Sequence, residues 1–178
     1  MSEAHPEQKH STLVYAGRVF TVHADDVAYP DGRVVTMDVV RHPGSVVLLP
    51  MTAPDRVLLV RQYRYAVNRW LWELPAGTRD PGEAPEETAL RECHEEVGRI
   101  AGRVEKLMTL FPAPGFCDEE MHFFKVTELR ERRADETEAH RDEDELLTVG
   151  TFTLEAARAM VRKGEIVDMK TAIGLTLV

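Results

Sequence analysis

The sequence predicts an α+β fold in which a β-rich N-terminal part precedes a larger mixed domain. Residues 12–51 alternate β-branched or aromatic residues with polar ones and are interrupted by turn residues, a pattern typical of strands. The apolar spacing then becomes helical over residues 85–97. We therefore expect a mobile tail, a β-rich part and a larger domain, with the boundaries 1–11, 12–43 and 44–178.

The N-terminal strands are predicted from alternation and from turn chemistry. Residues 14–22 form one alternating run. Pro30-Asp31-Gly32 predicts a turn, because proline presets φ and glycine accepts positive φ. This turn would join residues 26–29 to residues 34–41 in a hairpin. Two more apolar runs are expected to be buried strands: 46–49 and 57–63.

The central helix is predicted to span residues 85–97. Pro85 suits the first helical position, and Glu86 and Glu87 complement the positive end of the helix dipole. Gly98 is the expected C-terminal cap. Beyond it, we expect strands at 104–111, 121–126 and 146–152, a charged loop at 128–145, and helices at 154–163 and 168–178.

The composition excludes several classes of partner. The 178 residues include 22 Lys+Arg and 31 Asp+Glu, a net charge of −9 that argues against nucleic acid or anionic lipid as a partner. The apolar runs are far shorter than the roughly 18 residues of a membrane span. The N-terminus lacks the apolar segment of a signal peptide, and the two cysteines cannot build a disulfide framework. These features predict a cytoplasmic protein.

The predicted central helix carries an acidic face. At about 100° per residue, Glu92, Glu95 and Glu96 lie within one arc of roughly 100°. Like charges at these spacings repel by a few tenths of a kcal/mol per pair. Clustered carboxylates suit Mg²⁺ or Mn²⁺, whereas the alternative interpretation is a solvated acidic face. A separate apolar arc is expected from Leu90, Cys93 and Val97.

The wider pattern resembles the Nudix hydrolase family, whose box reads Gly-x5-Glu-x7-Arg-Glu-U-x-Glu-Glu-x-Gly-U, where U is a bulky aliphatic residue. Two U positions depart from the pattern, since Cys93 and Arg99 occupy them. These departures concern packing rather than chemistry. The fixed positions of the box are filled by Gly77, Glu83, Arg91, Glu92, Glu95, Glu96 and Gly98.

The resemblance implies a Nudix fold, which is an α/β/α sandwich around a mixed sheet, and hydrolysis of a nucleoside diphosphate linked to another moiety. Arg91 would brace the glutamates through a bidentate pair without touching substrate. Glu83 would orient the loop or a ligand glutamate, or support the metal. The metal ligands implied by the resemblance are the carboxylates of Glu92, Glu95 and Glu96 and the carbonyl of Ala76.

Residues outside the box resemble the ADP-ribose pyrophosphatase branch of this family. They are Pro114, which follows Gly98 by sixteen positions, and the segments 62–65, 72–77 and 119–120. An ADP-ribose site needs cations for the pyrophosphate, and Arg41 and Arg64 are the candidates.

The adenine of ADP-ribose would need an aromatic platform and polar partners. Glu73 could accept from the adenine amino group or a ribose hydroxyl. The alternative for each aromatic residue is packing in the core. The stacking candidates are Phe20, Tyr65, Trp70 and Trp72.

The resemblance also places a general base in the loop before the last strand. Glu143 aligns with that position, and Glu145 is the alternative. In the related enzymes the β-rich part is exchanged between subunits, so a homodimer with exchanged N-terminal strands is implied.

We therefore expect hydrolysis of ADP-ribose to AMP and ribose 5-phosphate, dependent on Mg²⁺ or Mn²⁺ and carried out by metal-activated water. A Nudix hydrolase of another nucleotide sugar, such as GDP-mannose, is the nearest alternative. A non-catalytic Nudix-like domain that senses ADP-ribose is an alternative of a different class.

Overall fold

A computed structural model describes residues 4–135 and 147–178, and the chain divides into two compact units. The smaller unit comprises residues 1–44 and 111–120, and the larger unit comprises residues 45–110 and 121–178. The inclusion of residues 111–120 in the smaller unit is not predicted by the sequence. That segment is remote in sequence from the N-terminal strands and carries no local sign of its partner.

The sheet of the smaller unit consists, among the described residues, of three antiparallel strands: β1 (Glu7–Ala16), β2 (Thr21–Ala28) and β3 (Val34–Arg41). The hairpin between β2 and β3 is confirmed, with Gly32 at a φ of 88°. Two expectations are wrong. β1 begins at Glu7, within the predicted tail, and the run 14–22 is broken where the Gly17 amide donates to the Phe20 carbonyl at 2.9 Å.

Residues 111–120 are tied to the end of β3 by backbone and side-chain hydrogen bonds. The Val40 amide donates to the Phe116 carbonyl at 2.7 Å, and the Asp118 amide donates to the Val40 carbonyl at 3.1 Å. The Asp118 carboxylate accepts from the His42 amide at 2.8 Å. Pro114 lies exposed in a turn that closes on the Ala113 carbonyl. This segment thereby extends the smaller unit beyond the predicted boundary.

The larger unit contains a mixed sheet in the order β10-β5-β4-β9-β8, in which β4 and β9 are parallel. Two short strands extend it, with β6 paired to β5 and β7 paired to β4. Within the described residues its strands are β4 (Ser45–Ala53), β5 (Arg56–Arg64), β6 (Arg69–Glu73), β7 (Ala76–Thr78), β8 (Arg103–Leu110), β9 (Met121–Thr127) and β10 (Leu147–Thr153).

Helices cover both faces of this sheet and confirm the predicted α/β/α sandwich. The helix α1 (Pro85–Val97) packs on one face, with Cys93 in its core. The helices α2 (Leu154–Arg162) and α3 (Met169–Gly174) belong to the other side, where Leu154 and Ala157 join the core. Successive residues of β4 supply the two cores alternately, which explains why its run is continuously apolar.

α1 begins and ends as predicted, but one part of its expected apolar arc is wrong. Leu90 is 45% exposed, and Ala89 lies in the core instead. The buried side of α1 therefore includes Glu92 and Glu96 next to Cys93 and Val97. α3 is shorter than the predicted helix 168–178. Within the described residues, no helix is long and apolar enough to cross a membrane.

Candidate active site

Arg91 stands at the centre of the acidic cluster on α1. Its Nε and Nη2 atoms donate to the two carboxylate oxygens of Glu83, each at 3.0 Å. Its Nη1 atom donates to Glu92 Oε1 and Glu95 Oε2, each at 2.7 Å. The hydrogen bonds that Arg91 donates to Glu83, together with the charge of Glu92 and the hydrogen bonds to Glu95 and Glu92, raise the pKa of Arg91 above its ordinary value. One guanidinium thus joins three carboxylates of the box.

Glu83 is fixed between the loop and the helix. Its carboxylate also accepts from the Thr88 hydroxyl at 2.8 Å and from the Asp80 amide at 3.1 Å. The hydrogen bonds from Arg91, supported by those from Thr88 and Asp80, lower the pKa of Glu83 from 4.5 to about 2. Glu83 is therefore an anion whose position is set by four contacts.

Gly77 makes room for the carboxylate of Glu92. A Cβ atom added at Gly77 would overlap all three carboxyl atoms of Glu92, which is itself buried. The requirement for glycine is steric here, because a side chain at this position would displace a carboxylate of the acidic cluster. This explains physically why the residue of β7 that faces Glu92 is a glycine.

Glu96 lies deepest among these carboxylates, with an exposure of 2%. Its Oε2 atom accepts from the Ala76 amide at 2.9 Å. Ala76 is placed by the pairing of β7 with β4, opposite Val47. The structure therefore brings Ala76 and Glu96 together, which the sequence predicts as two members of one metal site.

The donor set fits a hard divalent cation. Glu92, Glu95 and Glu96 provide carboxylate oxygens on a partly desolvated helix face, where a cation would relieve their repulsion. Glu92 and Glu95 already direct one oxygen each to the same nitrogen of Arg91. Within residues 4–135 and 147–178, no three acidic, His or Cys side chains are grouped so that they could hold a metal ion as they stand. The ligand assignment therefore stays a prediction.

Arg64 and Glu73, which have separate predicted roles, form an ion pair with each other. Arg64 donates from Nε to Glu73 Oε1 at 2.9 Å and from Nη2 to Glu73 Oε2 at 2.8 Å. Glu73 is only 1% exposed and also accepts from Lys170 Nζ. Burial acts to raise the pKa of Glu73, but Arg64 and Lys170 outweigh it and hold the pKa below its ordinary value. Glu73 is therefore almost fully enclosed by its two cations, and the role expected for it toward adenine or ribose stays a prediction.

Lys170 is a residue that the sequence reasoning misses. It is 8% exposed, and its Nζ atom lies 3.0 Å from Asp168 Oδ2 as well as against Glu73. Thr171 follows it and donates its backbone amide to Asp168. A lysine within a mostly apolar C-terminal segment is a signal that could have found it, because a buried lysine needs a carboxylate partner.

The predicted aromatic platform separates into core and surface residues. Trp72 packs edge-on against Phe152, with ring centroids 4.9 Å apart, and is partly buried against the core cluster of β4 and β5. This contact agrees with packing, the alternative interpretation, and the role in stacking stays a prediction. Trp70, Tyr65 and Phe20 are exposed.

Arg41 is held by two aspartates of the smaller unit. Its Nη2 atom donates to the buried Asp25 at 2.5 Å, and its Nη1 atom donates to Asp118 at 3.2 Å. Asp118 belongs to the segment that also carries Pro114. The two candidates for the general base, Glu143 and Glu145, lie outside the described residues.

Comparison with known proteins assigns the class. A family model described as the NUDIX domain matches residues 41–170, which is most of the chain. The chain belongs to the Nudix family. The departure at Cys93 agrees with this assignment, since Cys93 is buried among apolar residues of α1 and the sheet, and burial raises its pKa to about 12.

Several related proteins have names that state an enzymatic activity. The chain is 37% identical to an ADP-ribose pyrophosphatase of Bacillus subtilis, over 91% of this chain and 86% of that protein. It is 38% identical to an ADP-ribose pyrophosphatase of Mycobacterium tuberculosis, over 100% of this chain and 85% of that protein. A GDP-mannose pyrophosphatase of Citrobacter koseri is 35% identical over 76% of this chain and 77% of its own length.

A solved structure described as an ADP compounds hydrolase shares the fold. The TM-score is 0.79, with 23% sequence identity over 99% of this chain and 94% of that chain. This likeness supports the α/β/α architecture described above.

The low pKa of Glu83 predicts a pH-dependent contribution to stability. Because the pKa is about 2 in the fold against 4.5 ordinarily, the stabilisation is present above pH 4.5 and is lost as the pH falls toward 2. We expect Glu83→Gln to lower the free energy of unfolding by roughly 1–3 kcal/mol at pH 7. This difference from wild type should shrink at pH 3.

Denaturant unfolding at pH 7 and pH 3 in the presence of a chelator measures this difference. Glu86→Gln, an exposed exchange in the first turn of the same helix, is the matched control and should change little at either pH. A difference between wild type and Glu83→Gln that is equal at both pH values would contradict the ion-paired role of Glu83.

Proposed function

We propose that this chain is an ADP-ribose pyrophosphatase that depends on a divalent metal ion and releases AMP and ribose 5-phosphate. The observation that carries the proposal is the set of carboxylates that α1 holds beside β7, with Glu92 against Gly77 and Glu96 on the Ala76 amide. The names of two relatives of 37% and 38% identity support ADP-ribose as the substrate.

The metal ion would be held by the carboxylates of Glu92, Glu95 and Glu96 and by the carbonyl of Ala76. Members of this family use divalent metals, and we propose Mg²⁺ or Mn²⁺ because all these donors are oxygen atoms. When bound, such an ion lowers the pKa of a water molecule and so supplies the nucleophile. Hydrolysis breaks one P–O bond of the pyrophosphate bridge, and the oxygen of water completes one of the two monophosphates.

The residues of the chain prepare this site by fixing the carboxylates. Arg91 directs Glu92 and Glu95 and is itself anchored by Glu83. These contacts hold the glutamates in fixed rotamers before the metal ion binds. Binding the ion therefore costs less side-chain entropy than it would for flexible glutamates. Arg91 is therefore proposed to act on the ligands of the metal and not on the substrate.

We propose that Arg64 and Arg41 bind the negative charge of the diphosphate. Arg64 is 40% exposed, and its fork with Glu73 uses only Nε and Nη2. The remaining edge of the guanidinium, at Nη1, can donate to a phosphate oxygen. Arg41 is likewise oriented by Asp25 and Asp118.

GDP-mannose is the alternative substrate, and the relative from Citrobacter koseri supports it. A non-catalytic sensor of ADP-ribose is disfavoured, because every glutamate of the box is in place. Glu143 remains the proposed general base, and Glu145 remains its alternative. The two free cysteines support the proposed cytoplasmic location.

We propose that the chain forms a homodimer through the sheet of the smaller unit. Apolar side chains on β1 and β3 are exposed, including Leu13, Val14, Tyr15 and Val34. Exposed apolar side chains on several strands of one sheet favour a protein partner, and a second copy supplies the same surface. Light scattering should give twice the mass of 20.1 kDa. A single mass of 20.1 kDa at micromolar concentration would contradict the dimer.

The substrate and the metal dependence are tested together by a panel of diphosphates. We expect kcat/KM with Mg²⁺ to be higher for ADP-ribose than for GDP-mannose, NADH, Ap4A and 8-oxo-dGTP, and activity to be lost in chelator. Glu92→Gln should lower kcat by more than about 100-fold, since it removes a direct ligand of the metal ion. Glu86→Gln is the control and should retain wild-type kcat.

Different outcomes reject different parts of the proposal. A higher kcat/KM for GDP-mannose would reject ADP-ribose and retain the enzyme class. Hydrolysis that persists in chelator would reject the metal mechanism. Binding of ADP-ribose without turnover of any diphosphate would favour the non-catalytic sensor.

A further inference from the structure

The segment 73–77 is held on both sides by charged or polar groups of the larger unit. From α3 and its N-terminal flank, Lys170 contacts Glu73, and the Thr171 hydroxyl accepts from the Leu74 amide at 2.7 Å. From α1, Glu96 accepts from the Ala76 amide. α3 is therefore connected through one short segment to the carboxylates proposed to bind the metal ion.

Four charged side chains form the connection on the side of α3. Two are cations, Arg64 and Lys170, and two are carboxylates, Glu73 and Asp168. Glu73 lies between the two cations, and Lys170 lies between the two carboxylates. We call this set the α3 charge network. Its formal charge is zero, and each of the two carboxylates has a cation within ion-pair distance.

Stability alone is a poor explanation for these buried charges. Removing a lysine and a carboxylate from water costs free energy that their attraction only partly returns. Replacing such a pair with apolar side chains of similar volume is often neutral or stabilising. Lys170 and Glu73 are both at least nine-tenths buried, so their presence points to a role in orienting another group.

The group that the α3 charge network orients is the guanidinium of Arg64. The fork from Nε and Nη2 to Glu73 fixes the plane of the guanidinium, while 40% of the side chain stays exposed. Lys170 supplies a second positive charge against Glu73 and Asp168. Without Lys170, the single charge of Arg64 would face both carboxylates, and its attraction for an anionic substrate would weaken.

We infer that Lys170 is a positioning residue that, through Glu73, holds Arg64 in the orientation that binds the diphosphate. The inference rests on the proposed function, in which Arg64 binds the diphosphate of the substrate. Lys170 itself touches neither substrate nor metal in this account. It sets the strength with which the substrate binds, and it has a smaller effect on the chemical step.

The test compares KM and kcat for Lys170→Met, Arg64→Gln and the double variant. The substrate is whichever diphosphate the wild type hydrolyses best, so a failure of the ADP-ribose assignment does not decide the result. We expect Lys170→Met to raise KM about tenfold, the effect of losing a hydrogen bond to a charged group, with kcat changed less than about threefold. The double variant should be no worse than Arg64→Gln alone, because both exchanges remove the same interaction.

Controls separate positioning from a general loss of structure. Lys163→Met removes an exposed lysine from the end of α2 and should leave KM and kcat unchanged. Lys170→Arg retains the charge and should recover much of the KM. An unchanged KM for Lys170→Met in a folded protein would overturn the inference, as would fully additive effects in the double variant.

A second variant keeps the inference testable if Lys170→Met does not fold. Glu73→Gln combined with Lys170→Met removes one positive and one negative charge. The two charges that remain, on Arg64 and Asp168, still sum to zero. This variant should fold and still show a raised KM, because Arg64 loses its ionised fork partner. A wild-type KM in this variant would show that the α3 charge network does not act on the substrate.

Discussion

The acidic site depends on one guanidinium placed among carboxylates. α1 carries Glu92, Glu95 and Glu96 within five residues, and like charges at these spacings disfavour a helix. Arg91 offsets that repulsion by donating to Glu92 and Glu95, while its other edge is anchored on Glu83. The same residue therefore lowers the repulsion within the helix and sets the direction of two carboxylates.

A second constraint is the lack of space beside these carboxylates. Gly77 has no side chain, and the carboxylate of Glu92 occupies the volume that a Cβ atom would take. One residue earlier, Ala76 reaches Glu96 through its amide. β7 is itself paired with β4, the most buried strand of the larger unit. The position of the acidic face is therefore fixed relative to the core.

Sequence reasoning found the local features of this site and missed those that join distant residues. The ends of α1 followed from Pro85 and Gly98, and the carboxylate face followed from helical spacing. Lys170 and Glu73 are separated by 97 positions, and no local pattern pairs them. For Trp72 the sequence left core packing and stacking as alternatives, because an aromatic residue has the same signature in a core as in a binding site. The association of residues 111–120 with β3 was missed for the same reason as the pairing of Lys170 with Glu73.

The central claim is that the carboxylates of α1 form a binding site for a divalent ion. Titration of the protein with Mn²⁺ alone, followed by calorimetry or by electron paramagnetic resonance, measures this without reference to any substrate. The account predicts that Glu96→Gln weakens Mn²⁺ binding at least tenfold relative to wild type, whereas Glu86→Gln leaves it unchanged. Equal Mn²⁺ affinity in wild type and Glu96→Gln would contradict the account.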